Sequence, residues 1–185
     1  GPPAVRAGPA ARRPLRAGNP RRRADAGAFL VADPRDPRDP PVRLLDRECD
    51  DVAAVIPAYR VVAQGYRLLT CAGKVTWSEG PRIWSHAVLG FDHAGQPLLI
   101  HARTPYGTAA FTRILLGLPL DLDRLMYLEG GPEATLAVDA GAGAGALDSV
   151  WFGSYETGFH PSDDNDHPWP IPNVIGVVRR AGDRR

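Results

Sequence analysis

The chain has 185 residues, enough for one domain with a sizeable core, and a formal net charge of +1 at pH 7. The balance is uneven, because residues 1–27 carry seven arginines and one acidic residue whereas the remainder is net acidic. A mildly acidic folded part argues against nucleic-acid binding as the main task. No apolar run approaches the roughly 20 residues needed to span a bilayer, and no secretory signal segment is visible.

The amino-terminal segment has the composition of an unfolded tail. It is rich in Arg, Ala, Gly and Pro, and residues 33–41 place a proline at nearly every third position, which favours an extended linker. We therefore predict a disordered tail and linker over residues 1–41 and a folded domain over residues 42–180.

The folded part is predicted to be α+β, a mostly antiparallel, strand-rich single domain with one clear amphipathic helix packed on the sheet. The helix should run from Thr108, as its cap, to about Leu116, with Phe111, Ile114, Leu115 and Leu118 on the packed face. Alternating apolar residues and β-branched residues predict strands at 60–69, 85–91, 97–103 and 173–178, and a further strand that ends at Glu129.

The segment Leu125–Leu136 is the strongest candidate for a site. An apolar run ends at Glu129, the backbone turns on Gly130, Gly131 and a proline, and Glu133 opens the next run. Two glycines permit positive φ and the close approach of a ligand, while paired carboxylates can share acid and base work. The alternative is that Glu129 only accepts turn N–H groups and Glu133 pairs on the surface.

His101 and Arg103 are two residues apart on a predicted strand, so they share one face and could line a pocket. The Arg103 guanidinium could hold a phosphate with its planar fork, although a solvated pair of side chains fits the pattern equally well.

Three further residues are candidates for binding a sugar. Tyr155 and Glu156 lie in a glycine-bounded segment, where an aromatic face and an acidic acceptor could contact a ring, although the aromatic residue could also be core. The Asn173 amide could bind substrate or cap a turn.

Several other patterns point away from a site. Ser85 and His86 are strand neighbours that point to opposite faces, so a nucleophile–base couple is not expected. The loop from His160 to His167 holds possible ligands without the spacing of a zinc or EF-hand site, so we expect no metal and no cofactor. Cys49 and Cys71 could pair or stay reduced.

Three segments of the chain together resemble a known protein family. The hairpin ending in Arg103, the helix, and the strand that runs into Glu129-Gly130-Gly131 resemble the phosphodiester glycosidase domain family, over about residues 60–178. That family has an Asp-Gly-Gly turn, so Glu replaces Asp here. The segments YLEGGPEATL, GSYETGF and WPIPNVIGV are similar to those of a bacterial, usually exported branch of this family.

The resemblance implies hydrolysis of a sugar–phosphate diester in an envelope or extracellular setting. Glu129 would be catalytic, and the substrate would be a sugar phosphate or another carbohydrate, with no nucleic acid as partner. Taken with the patterns above, the candidate substrate-binding residues are Arg103, His101, Gly130, Gly131, Glu133, Tyr155, Glu156 and Asn173.

The chain departs from the family pattern in two places. Ser85 and His86 stand where an Arg-Thr pair is common, so a phosphate-binding arginine would come from Arg82 or Arg103. The amino-terminal strands of the family have no evident match before residue 60. Two alternatives therefore stay open: a non-catalytic glycan- or cell-wall-binding module of the same fold, and a truncated, inactive member.

Overall fold

The structure is a computed structural model that describes residues 4–7, 26–139, 149–155 and 162–178. The chain divides into two compact units: unit 1 comprises residues 1–66 and 171–185, and unit 2 comprises residues 67–170. The predicted boundaries at 1–41 and 42–180 do not coincide with this division, since they follow composition whereas the units follow packing. No helix within the described ranges is long and apolar enough to cross a bilayer.

Unit 1 is built from antiparallel strands. Strands β2 (Ala28–Pro34), β3 (Val42–Asp46) and β4 (Tyr59–Arg67) pair in the order β3-β2-β4, and β1 (Ala4–Ala7) pairs with the last strand, β10 (Ile175–Val178). A short helix α1 (Val52–Val55), capped by the Asp51 carboxylate, precedes β4. The core of the unit consists of Phe29, Val31, Leu45, Val52 and Tyr59.

Part of the predicted disordered tail and linker is folded. The apolar run from Ala28 to Ala32 is buried in β2, and the proline-rich segment after it forms the loop that leads into β3. Composition misleads here because a run of five apolar residues suffices for a buried strand once two partner strands satisfy its backbone groups. Residues 8–25, the rest of the basic segment, lie outside the described ranges.

Unit 2 has a central antiparallel sheet of three strands in the order β7-β5-β6: β5 (Trp84–Asp92), β6 (Pro97–Tyr106) and β7 (Leu122–Gly130). Helix α2 (Thr108–Leu116) follows β6, and a small hairpin of β8 (Thr135–Val138) and β9 (Ser149–Phe152) follows β7. The predicted β5–β6 hairpin is confirmed, with Gly95 at φ 77° in its loop. A core of Leu68, Leu69, Val88, Phe111, Leu115 and Leu125 holds the unit together.

Helix α2 has the predicted bounds, but only two of the four residues predicted on its packed face are buried. Phe111 and Leu115 are buried, whereas Ile114 is 44% exposed and Leu118, which lies beyond the helix, is 48% exposed. Thr108 and Thr112 complete the buried face and their hydroxyls have partners inside the protein, so apolar spacing predicted this face only in part. The N-cap is also wrong: it is Gly107, which provides no side-chain cap.

Candidate functional site

Strand β7 delivers Glu129 to the end of the central sheet. Opposite β5, Ala87 pairs with Glu129 and Val88 with Tyr127, so Leu128 is an extra residue that shifts the register. Such an irregularity re-aims the side chains around it. The strand then ends at Gly130, and the chain enters a single 3-10 turn over Gly131–Glu133.

The two glycines of this turn are required by its geometry. A methyl group on Gly130 would overlap the Tyr127 hydroxyl and come within 2.7 Å of Trp84 Nε1. Gly131 has φ 66°, in the left-handed region that disfavours residues with a side chain. The Gly-Gly pair therefore lets a tyrosine and a tryptophan close over the backbone beside two carboxylates.

These residues form one open pocket, which we call the acidic pocket. Its cavity volume is about 190 Å³, and its lining consists of Arg82, Trp84, Tyr127, Glu129, Gly130 and Glu133. The predicted carboxylates Glu129 and Glu133 therefore lie on the same cavity.

The charged groups of the acidic pocket are accessible. Glu129 is exposed and accepts the N–H of Gly130 at 3.1 Å, which matches the simpler role predicted for it without excluding a second one. Glu133 is half-buried. Arg82 is exposed and has no hydrogen-bond or ion-pair partner among the residues that the structure describes. A cation and two carboxylates thus share one cavity.

Arg103 is placed elsewhere, in a group of side chains that we call the Arg103 cluster. Its Nε and Nη2 donate to Asp163 Oδ1 at 2.9 and 2.5 Å, Nη1 donates to the Phe152 carbonyl at 2.9 Å, and Nη2 also donates to the Asn165 carbonyl at 2.7 Å. The guanidinium also stacks over the Phe152 ring at 5.0 Å. Because its donors are used by the protein, Arg103 is a poor candidate for holding a phosphate.

Tyr155 belongs to the Arg103 cluster. Its hydroxyl is hydrogen-bonded to the Asp163 carboxylate, which raises the pKa of Tyr155, and its backbone has φ 53°. The Arg103 guanidinium in turn lowers the pKa of Asp163. Tyr155 is thus not among the residues that line the acidic pocket, and Glu156 lies outside the described residues.

The two other predicted binding residues also lie apart from the acidic pocket. The half-buried His101 ring is hydrogen-bonded through Nε2 to the Ala134 carbonyl at 3.1 Å, and burial lowers its pKa. It supports the residue that follows the 3-10 turn. Asn173 is exposed and belongs to unit 1.

Ser85 and His86 support the acidic pocket from inside the protein. Ser85 Oγ accepts the Ser154 N–H at 2.8 Å, whereas His86 Nε2 lies 3.2 Å from Thr108 Oγ1, so the two side chains do not form a couple. The His86 ring lies 4.6 Å from the Phe111 ring and 5.9 Å from the Trp84 ring. Burial lowers the pKa of His86 to about 4, so it is neutral at pH 7.

Sequence reasoning missed Trp84 and Tyr127 as pocket residues. A signal existed, since Tyr127 lies two residues before Glu129 and Trp84 directly precedes the Ser85-His86 pair. Of the two arginines that the sequence offers for a phosphate, Arg82 lines the acidic pocket and its guanidinium is unengaged within the described part of the chain.

In the described part of the acidic loop, the possible ligands Asp163, Asp166 and His167 contact neighbouring protein groups. Asp163 is engaged by Arg103, and His167 Nδ1 lies 2.7 Å from its neighbour Asp166, which is exposed. His160 lies outside the described ranges. Both cysteines, Cys49 and Cys71, are disulfide-bonded, so neither is a thiolate ligand.

The fold and the pocket define a strand-rich antiparallel protein with an acidic cavity at a Gly-Gly turn. A model of the phosphodiester glycosidase family matches residues 16–178, most of the chain, and the chain belongs to that family. The match begins well before residue 60, the start of the resemblance noted in the sequence, so it takes in strands β2 and β3. Comparison with curated proteins and with solved structures finds no match.

Membership implies a phosphodiester-glycosidase kind of function and suggests a carbohydrate–phosphate substrate. The family match and the acidic pocket are independent observations, because the first rests on sequence and the second on geometry. The matched range includes the turn from Glu129 to Glu133 that lines the acidic pocket.

Proposed function

We propose that this protein hydrolyses phosphodiester glycosides, releasing a sugar from a phosphate that carries a second alcohol. The observation that carries the proposal is the acidic pocket, where Glu129 and Glu133 share a cavity with Arg82, whose guanidinium has no partner among the described residues. A sugar–phosphate diester needs this combination, with a cation for its phosphate and carboxylates for its anomeric centre.

In the proposed step, Arg82 holds the phosphate while the Glu129 carboxylate takes a proton from a water molecule. The water oxygen bonds to the anomeric carbon, and the bond from that carbon to the phosphate oxygen breaks. The phosphate leaves with the electron pair as a monoester that retains the second alcohol. Such a leaving group needs little protonation, so a single carboxylate acting as base is sufficient, and Glu133 stabilises positive charge on the sugar ring.

The aromatic residues of the pocket suit a sugar. Trp84 and Tyr127 offer apolar faces against which a sugar ring can pack.

The proposed setting is the cell envelope or the exterior. The disulfide-bonded state of Cys49 and Cys71 supports it, because structural disulfides persist in oxidising compartments. Cell fractionation with an antibody to the protein tests this part of the proposal.

The activity is tested with α-N-acetylglucosamine 1-(methyl phosphate) as substrate. We expect Glu129→Gln to lower kcat by about 100-fold or more, as for loss of a general base, while Glu48→Gln, an exposed glutamate of unit 1, leaves it unchanged. A cooperative urea transition for each variant should show that both remain folded.

Isotope labelling distinguishes the bond that breaks. In ¹⁸O-water the label should enter the released sugar; label in the phosphate means that the P–O bond is cleaved and contradicts the proposed step. Saccharide binding by calorimetry without turnover of any ester would favour the glycan-binding alternative. Full activity of Glu129→Gln would remove Glu129 from the mechanism.

A further inference from the structure

A second cavity adjoins the acidic pocket in unit 2. It has a volume of about 230 Å³, and its lining includes Trp77, Pro81, Arg82, Trp84, Gly107 and Thr108. We call it the apolar groove. Two of its residues, Arg82 and Trp84, also line the acidic pocket, so the two cavities meet at these side chains.

The apolar groove differs from the acidic pocket in its chemistry. Among the described residues of its lining, Arg82 is the only one that carries a charge, whereas the acidic pocket adds two carboxylates to the same arginine. The indole rings of Trp77 and Trp84 and the ring of Pro81 supply apolar surface. A cavity of this kind favours an apolar group over a sugar.

One wall of the apolar groove is fixed in place. The Trp77 indole donates its Nε1–H to the Arg67 carbonyl at 3.2 Å, and its ring lies 5.4 Å from the Tyr127 ring, tilted by 37°. Trp77 also packs against the core of unit 2. A preorganised apolar wall binds a ligand without first having to order its own side chains.

The shared arginine determines how a diester would lie. With its phosphate at Arg82 and its sugar beside Glu129, the second ester group points away from the acidic pocket and toward the apolar groove. Each cavity alone is smaller than the roughly 300–1000 Å³ of ordinary small-molecule sites, whereas the two together fall within that range.

We propose that the apolar groove binds the second alcohol of the diester and that this alcohol is apolar, an alkyl or aryl group. The inference rests on the proposed function and specifies its substrate class. The preferred substrate is then a sugar joined through phosphate to an apolar alcohol, with Arg82 between the two halves.

A pair of substrates tests the inference: the methyl and the hexyl esters of α-N-acetylglucosamine 1-phosphate. The hexyl ester is short enough to stay monomeric in solution. Because each buried methylene favours binding by roughly three- to fourfold, kcat/KM should be at least about tenfold higher for hexyl than for methyl. Equal values for the two esters would overturn the inference while leaving the proposed function intact, and no turnover of either ester would overturn both.

Substitutions at Gly107 locate the effect in the groove. Gly107 has φ −67° and a methyl group there would meet only backbone oxygens at 3.7 and 3.9 Å, so a side chain is tolerated. Gly107→Leu should fill the groove and lower the hexyl-to-methyl ratio toward one, and Gly107→Ala should change it little.

Two further variants complete the test. Pro81→Asp should also lower the hexyl-to-methyl ratio, since it places a carboxylate in the groove. Ala94→Leu adds the same apolar group as Gly107→Leu in the exposed β5–β6 loop and should keep the wild-type ratio. A ratio that survives both Gly107→Leu and Pro81→Asp in folded protein would overturn the assignment of the groove.

Discussion

Arg82 and Arg103 lie in the same unit in opposite surroundings. Arg103 donates to one carboxylate and two carbonyl oxygens and stacks on an aromatic ring. Arg82 lies at the junction of two cavities without a partner among the described residues. The Arg103 guanidinium is bound by groups of the protein itself, whereas the Arg82 guanidinium is available to bind an anion.

The comparison shows why residue type alone did not identify the site. Both arginines fit a phosphate equally well by chemistry, and their neighbours decide between them. Asp163, about 60 residues away in sequence, satisfies the fork of Arg103. No carboxylate pairs with Arg82 in the described structure, although Glu129 and Glu133 line the same cavity.

The two regions touch at Gly153. Its carbonyl accepts the Asn165 amide at 2.6 Å, on the side of the Arg103 cluster. A methyl group on Gly153 would overlap the carbonyl oxygen of Gly131, in the turn of the acidic pocket, and lie 2.8 Å from Ser85 Cβ. This glycine therefore permits the close contact between the cluster and the pocket.

The largest effect is expected for Gly153→Ala. The overlapping atom belongs to the backbone and cannot move aside cheaply, so we expect a loss of about 3 kcal/mol in the free energy of unfolding of unit 2. Urea titration followed by tryptophan fluorescence measures it, because all four tryptophans lie in residues 67–170.

Gly117→Ala is the matched control for this substitution. A methyl group at Gly117 comes no closer than 3.4 Å to the backbone, so its effect should be well below that of Gly153→Ala. Equal stability of wild type and Gly153→Ala would show that the turn and the cluster are not packed as described.

The second prediction is that replacing Arg103 lowers stability, whereas replacing Arg82 lowers activity. Arg103→Ala leaves Asp163 and two carbonyl oxygens without their donor, so we expect a loss of about 2 kcal/mol of stability, discounted for partial exposure. Arg82→Ala should leave stability within about 0.5 kcal/mol of wild type but lower kcat/KM for the methyl ester by roughly 10- to 100-fold.

Lysine substitutions test whether charge alone is sufficient at each arginine. Arg103→Lys keeps the charge but cannot reach Asp163, Phe152 and Asn165 together, so it should recover little stability. Arg82→Lys should recover part of the activity, since a single charge still attracts phosphate. A large loss of stability in Arg82→Ala, measured by the same urea titration, would contradict the contrast between the two sites.

The sequence predicted the parts of the fold that depend on local patterns. Alternation located the β5–β6 hairpin, and the bounds of α2 followed from its spacing and from Gly117. It failed at β2, where tail composition outweighed a short apolar run, and at the buried face of α2, where two threonines replace apolar residues. Both failures have one cause, because the partner that buries a residue is not encoded nearby.

The candidate site likewise has one part that the sequence predicts and another part that it does not. Glu129, Gly130, Gly131 and Glu133 were predicted together because they are contiguous, and a single turn holds them. Arg82 and Trp84 join them only through the pairing of β5 with β7, and the capture of Arg103 by Asp163 depends on a loop far along the chain. Contacts of this kind require the folded structure.

The smallest predicted effect is a pH dependence of stability that arises beside the acidic pocket and not in the Arg103 cluster. Burial lowers the pKa of His86, beneath Trp84, to about 4, against 6.5 in the unfolded chain. Only the unfolded state then takes up a proton, so stability is fully present above about pH 6.5 and falls as the pH drops toward 4. Between pH 7 and 5.5 the loss from His86 should be about 1 kcal/mol.

The matched variant is His86→Phe, which keeps a ring between Trp84 and Phe111 and should flatten this part of the pH dependence, leaving a constant offset for the lost Thr108 hydrogen bond. His101 has a lowered pKa too and is common to both proteins, so the difference between their urea titrations isolates His86. The Arg103 cluster should not respond in this window, because Arg103 lowers the pKa of Asp163 and keeps its carboxylate charged. An equal loss of stability in His86→Phe between pH 7 and 5.5 would show that the acid sensitivity lies elsewhere in unit 2.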